Sequence, residues 1–240
     1  MKQAIQNRTS KRNYTVEKLT ENTLNQIHAI LTEINSASGL TFELVLDQPS
    51  AFSSFKKSYG LFKNVKSFIV LKGLKTDVHL REKVGYHGET LVLKLTELGL
   101  GTCWVGGTFD SKDISISPNE ELVCVITVGY IHDKPTFTET TLRKLIHRKV
   151  KPISERLTSD VTPIPEWVIE GMEAVLLAPS AVNSQKPVFK YENGTLTASV
   201  PDTYRLDLVD LGIAKRHFDI AACGHFDMGQ HGRFVKDSDL

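Results

Sequence analysis

Ala178-Pro179-Ser180-Ala181-Val182-Asn183-Ser184-Gln185-Lys186-Pro187 joins an apolar, helix-like run, Trp167 to Leu177, to a short strand-like run, Val188 to Tyr191. Pro179 makes the chain leave the helix, and Pro187 keeps it from re-entering one. Between them stand Ser180, Asn183, Ser184 and Gln185, whose hydroxyl and amide side chains both donate and accept hydrogen bonds. The plain reading is a helix-to-strand connection. A second polar stretch near the start of the chain, Arg8-Thr9-Ser10-Lys11-Arg12, argues for more. The two look like halves of one site.

Outward from this loop, the helix–loop–strand order recurs. Thr20 or Asn22 caps a predicted helix through about Ile34, with Leu24, Ile27, Ile30, Leu31 and Ile34 on one face. Ser36-Ala37-Ser38-Gly39 breaks it, and Thr41–Leu46 reads as a strand. Phe52, Phe55, Tyr59 and Phe62 recur at helical spacing, which favours core over ligand contact. Ser67–Lys72 reads as a buried strand, and a long helix runs from Val78 or Leu80 to Leu98, stopped by Gly99. Gly99–Gly107 is rich in backbone freedom, while Leu122–Tyr130 is a β-branched central strand. Residues 131–165 read as a linker.

The later half repeats these elements faintly: Asp210–Ala222 echoes Tyr86–Leu98. Asn193-Gly194 signals a hairpin turn. Strands interleaved with helices point to an α+β or α/β layered chain.

A chain of 240 residues buries a substantial core. Its 24% charged and 40% hydrophobic residues are an ordinary globular mixture, not a disordered one. A net charge of +1 gives no nucleic-acid footprint. No run approaches transmembrane length, and Cys103, Cys124 and Cys223 lack zinc or redox spacing, which suits reduced thiols in a cytoplasm.

Arg8-x-Ser10-x-Arg12 sets two guanidinium forks and a hydroxyl within five residues, a pattern that suits a phosphate monoester. Arg148-Lys149 reads as a surface run or as further cations for that phosphate. Thr102-Cys-Trp-Val-Gly106-Gly107 offers unshielded backbone N–H groups beside an indole. Trp104 stands where a dinucleotide fingerprint has its third glycine, which disfavours a Rossmann site. Ser180 carries no nucleophile motif, and Cys223, His225, His231 and His217 fit no metal pattern, so no metal is expected.

Taken in order from Arg8 to about Ala222, these stretches resemble the nitroreductase family of FMN-dependent oxidoreductases. The resemblance rests on Arg8–Arg12, Gly99–Gly107, Val128–Tyr130 with Arg148-Lys149, and Ala178–Gln185. It implies an α+β nitroreductase-like fold, with mixed or antiparallel sheets flanked by helices. It implies FMN held at Arg8, Thr9, Ser10, Arg12, Gly106, Gly107, Arg148, Lys149, Pro179, Ser180, Asn183 and Gln185. Hydride would pass from NAD(P)H through the flavin to a nitroaromatic, quinone or similar acceptor by a ping-pong mechanism, with no catalytic side chain named.

One departure bears on the architecture. The loop after the first helix, Ser36–Phe42, lacks the proline, asparagine and glutamine that Ala178–Gln185 keeps. The later half lacks Arg-x-Ser-x-Arg and Trp-x-Gly-Gly in turn. The chain therefore resembles a single-chain branch, a fused pseudo-dimer of two lobes, 1–150 and 151–240, with one complete site. A monomer with one FMN, without nucleic-acid or membrane partners, follows from that resemblance. The rival readings are a flavin binder without turnover, for sensing or storage, and a relic without flavin.

Overall fold

The computed structural model describes residues 1–48, 50–53, 62–112, 114–132 and 149–237. Phe55, Tyr59 and Arg148 lie outside them. In chain order the helices are α1 (Lys2–Asn7), α2 (Glu21–Ser38), α3 (Ser50–Ser53), α4 (Leu80–Glu97), α5 (Glu166–Leu176) and α6 (Asp207–Ala222). The strands are β1 (Glu43–Val45), β2 (Ser67–Leu74), β3 (Gly101–Val105), β4 (Glu120–Gly129), β5 (Leu157–Ser159), β6 (Val188–Glu192), β7 (Thr195–Ser199), β8 (Gly224–Phe226) and β9 (Gly232–Lys236). The class is α+β, with one antiparallel and one mixed sheet. No helix among the described residues is long and apolar enough to cross a membrane.

The chain divides into two compact units. One comprises Met1–Gln6, His79–Thr90 and Lys149–Leu240; the other comprises Asn7–Val78 and Leu91–Arg148. Met1–Gln6 and His79–Thr90 thus group with the residues from Lys149 on. Helix α4 contributes its first turns to one unit and its last to the other.

In the unit holding Asn7–Val78, the sheet order is β1-β2-β4-β3, antiparallel throughout. The β-branched run expected as a central strand is β4, paired on both sides. The glycine-rich stretch read as loose backbone is a strand, β3: Thr102, Cys103, Trp104 and Val105 pair with β4, and β-prone side chains outweigh the flanking glycines. Thr20 caps α2 by accepting from the Thr23 N–H at 3.3 Å. The helix outruns the expected break and stops at Gly39, whose left-handed φ of 72° closes the C-cap. Phe52 packs edge-on to Phe62 and Phe68 in the core, as helical aromatic spacing implied.

The other unit carries a sheet ordered β5-β6-β7-β9-β8, parallel only between β5 and β6. Asn193 and Gly194, both at positive φ, turn β6 into β7. The expected linker hides β5, and two further strands follow α6; all three are short, below what periodicity can register. Phe218 is fully buried at the heart of the core, stacked on Phe189 at 5.6 Å and edge-on to Trp167, Phe226 and Phe234. Burying one such ring stabilises by about 1.5–3 kcal/mol.

Within this unit α4 crosses α6 at two glycines. A Cβ on Gly85 would lie 2.0 Å from the Val209 carbonyl oxygen, and one on Gly212 would lie 2.0 Å from the Glu82 carbonyl oxygen. The contact is reciprocal, each glycine meeting the residue three positions before its counterpart. Only glycine lets the backbones approach so closely.

Candidate functional site

The arginine arm lies along the edge of the antiparallel sheet. Ser10 forms a parallel bridge with Thr102 of β3, and the Lys11 N–H donates to the Thr102 carbonyl at 2.8 Å. Tyr14 anchors the arm: its buried hydroxyl donates to the Lys11 carbonyl at 2.7 Å and sits 2.6 Å from the Thr127 hydroxyl. Gly101 makes room, since a Cβ there would meet Ile131 at 2.1 Å and Lys11 at 3.1 Å.

In extended backbone, residues two apart point the same way. Arg8, Ser10 and Arg12 have that spacing, and all three act on the Cys103 thiol, the arginines by charge and Ser10 by a hydrogen bond. Burial pushes that thiol's pKa up, while the charges of Arg12 and Arg8 and a hydrogen bond with Ser10 pull it down. Arg8 is buried, Thr9 and Arg12 are half-buried and Ser10 is exposed. Two guanidinium groups and a hydroxyl thus act on one side chain of the edge strand β3. Gly106, half-buried, and Gly107, exposed, follow directly on β3.

The loop from Ala178 to Pro187 is built in the other unit. Val182, Asn183 and Gln185 all adopt left-handed backbone, at φ of 47°, 56° and 49°. For a β-branched valine this is an outlier, and Val182 is 95% exposed, so no packing offsets it. Hydrogen bonds hold the turn instead. The Gln185 N–H donates to Ser180 Oγ at 3.0 Å. The Asp210 carboxylate accepts the Ala181 N–H at 3.0 and 3.1 Å and the Ser184 hydroxyl at 3.3 Å.

Gln185 is itself buried and uses both ends of its amide on the incoming chain. Its Nε2 donates to the Lys149 carbonyl at 2.7 Å, and its Oε1 accepts the Lys151 N–H at 3.0 Å. Asn183 Nδ2 reaches the same Lys149 carbonyl at 3.4 Å. The structure therefore brings Lys149, Ser180, Asn183 and Gln185 together, beside half-buried Pro179.

Two residues of this loop's support escaped the sequence. Asp210 looks like any acidic residue in a helix's first turn, and burial lifts its carboxyl to a pKa of about 7. Arg156 sits in the stretch read as linker, and its buried guanidinium donates to the Pro187 carbonyl at 3.1 Å and the Val175 carbonyl at 3.3 Å. No local pattern marks either.

The α4–α6 crossing carries a buried polar ladder. Lys215 pairs with Glu82 at 2.5 Å, His217 with Glu89 at 2.9 Å, and the Tyr86 hydroxyl donates to Asp219 at 2.7 Å. Burial raises the Tyr86 phenol, and burial first, then the Arg216 and Lys83 charges, lowers His87 to about 4. His217, weighed above as a metal ligand, is committed to Glu89 and the Ala174 carbonyl.

This α+β arrangement of two helix-flanked sheets is that of nitroreductase-like proteins. A family model described as "Putative TM nitroreductase" matches residues 1–222, and the chain belongs to that family. The crystal structure of a "putative nitroreductase" from Thermotoga maritima is 26% identical, with a TM-score of 0.65 over 97% of this chain and 91% of that one. An FMN-dependent nitroreductase from Clostridium difficile R20291 is 20% identical over 63% of this chain and 98% of that one, at a TM-score of 0.47. No curated protein sequence matches. By family the chain is an oxidoreductase.

Proposed function

We propose that the protein is an FMN-dependent oxidoreductase. When bound, FMN would supply the hydride chemistry, taking hydride from NAD(P)H and passing it in a second half-reaction to a nitroaromatic, quinone or similar acceptor. The observation that carries this reading is that Arg8, Ser10 and Arg12 all act on one side chain, Cys103, in a chain of the nitroreductase family. Two forks and a hydroxyl fit a dianionic phosphate by charge and by donor count.

In this reading Arg8, Thr9, Ser10 and Arg12, with Arg148 and Lys149, hold the phosphate. Pro179, Ser180, Asn183 and Gln185 form the loop that covers the flavin, with Gln185 acting through the Lys149–Lys151 backbone that it grips. Gly106 and Gly107 lend backbone N–H groups to the electron-rich ring, as oxyanion donors do. No side chain need act as acid or base, since water can supply protons.

The chain binds one FMN as a monomer built from two fused halves, 1–150 and 151–240, and works in the cytoplasm. The reciprocal Gly85–Val209 and Gly212–Glu82 contacts support fusion, because a two-fold interface repeats each contact in mirror order.

The experiment is a visible spectrum of the purified protein with flavin counted per chain, followed by anaerobic addition of NADH or NADPH. One FMN per chain, bleached by the nicotinamide and recoloured by a quinone, is expected. Two per chain would refute the single-site reading. A protein that takes up no added FMN would sink the flavin reading altogether. A flavin that never bleaches would leave a binder without turnover.

A further inference from the structure

We propose that Asp210, from the first turn of α6, is the positioning residue that fixes the Ala178–Pro187 loop in its flavin-covering conformation. The proposal rests on the FMN reading for the loop's purpose, but the loop's hold on its shape can be tested without flavin.

The argument starts from strain. Three residues within four occupy left-handed backbone, and none of the three is glycine. Such conformations persist only where the surroundings over-determine them, and they gather at functional sites. Val182 at 95% exposure gets no help from packing. The loop's own bonds, such as Gln185 N–H to Ser180 Oγ, travel with it if it moves. Asp210 is different: it belongs to a helix, is buried, and accepts from both Ala181 and Ser184, on either side of Val182 and Asn183. Helix packing fixes the carboxylate, and the carboxylate fixes the turn.

The charge state matters because the recess that the loop closes over Asp210 disfavours the ionised carboxylate. Burial, opposed by the Ala181 and Ser184 bonds, lifts Asp210 to about 7. The charges facing it are Asp207 on its own helix, which raises it, and Lys186 on the loop, which lowers it; Arg156 lines the same small recess. A protonated Asp210 keeps one acceptor for the Ala181 N–H and turns its hydroxyl towards Ser184. Asparagine reproduces that neutral arrangement, and alanine abolishes it.

The test compares wild type, Asp210→Asn and Asp210→Ala by FMN titration, followed by flavin fluorescence, from pH 5.5 to 8.5. In parallel, hydrogen exchange of the 178–187 backbone is measured without FMN. Wild type should bind FMN several-fold more tightly below pH 7 than above it, because the closed loop favours the protonated carboxyl. D210N should match wild type at low pH and stay flat, and D210A should be weaker than either, by roughly tenfold or more. Exchange in the loop should be fastest in D210A, while β2 and β4 stay protected. Equal affinity and equal pH profiles for wild type and D210N would overturn the proposal, as would unchanged loop exchange in both variants. If wild type binds no FMN, the flavin reading fails; faster loop exchange in D210A then upholds Asp210 as the residue that holds the loop, and unchanged exchange removes that too.

Discussion

The His217 imidazole and the Glu89 carboxylate meet at 2.9 Å with both side chains wholly buried, while the other ring nitrogen of His217 lies 2.9 Å from the Ala174 carbonyl. A carbonyl only accepts, so Nδ1 carries a proton. Nε2 must then either donate to a carboxylate or accept from a carboxylic acid. In both cases the pair holds two protons, and neither partner can be removed cleanly.

Glu89→Ala should therefore destabilise the fold by about 3–5 kcal/mol, the usual cost of leaving one member of a buried pair alone. Replacing both, as Glu89→Leu with His217→Leu, should cost less than the single change. Urea unfolding of the two variants and wild type checks this; equal midpoints for E89A and wild type would refute it.

Gly85→Ala and Gly212→Ala should each cost about 2–3 kcal/mol or more, because the new methyl would sit 2.0 Å from a backbone carbonyl that no rotamer change can move. Gly39→Ala is the control: nothing lies within 4 Å of its Cβ, and only its φ of 72° opposes the side chain. It should lose about 1 kcal/mol. Denaturant midpoints of the three variants should fall in that order.

Asp219 sets a pH dependence whose sign is fixed by burial. Its carboxyl is lifted to about 7, by burial first, against the Tyr86 and Phe226 hydrogen bonds. Its folded pKa lies above its unfolded one, so its contribution is full below about pH 4 and is lost as pH rises through 7. Asp219→Asn should flatten that fall. Between pH 5.5 and 8.5, wild type should lose about 1–2 kcal/mol more stability than D219N, read from urea midpoints at both pH values.

For the phosphate cradle, Arg12→Ala should weaken FMN about ten- to a hundredfold and leave riboflavin binding nearly unchanged, since the lost bonds go to a charged group that riboflavin lacks. Arg12→Lys should recover only part, because the fork is gone. Fluorescence titration with both flavins reads the ratio. A parallel loss for both would place Arg12 away from the phosphate.

The sequence showed the long helices and the long strands because each has a period or a run to detect, while the six-residue α1 went unread. β4 announced itself by unbroken β-branched residues, and the loop after α5 by its two prolines. The short strands β5, β8 and β9 were invisible, since they sit in stretches without the apolar runs that marked the equally short β1 and β6. β3 was hidden by its glycines. Of the candidate site, the arginines and the amide loop were legible as chemistry. Asp210, Arg156 and the Cys103 thiol were not, because each takes its role from a partner far off in sequence. Nor does any local pattern mark the bonds by which the Gln185 amide grips the Lys149 and Lys151 backbone.

The Glu82–Lys215 pair also bears on the order of events during synthesis. Lys215 leaves the ribosome 133 residues after Glu82, and His217 follows Glu89 by 128. Throughout that interval the first turns of α4 present two carboxylates and a bare glycine face with nothing opposite. They must wait in water, because closing early on anything but α6 would desolvate charge without a counterpart. The crossing can therefore close only once α6 has been made, when lysine, histidine and the matching glycine are all present.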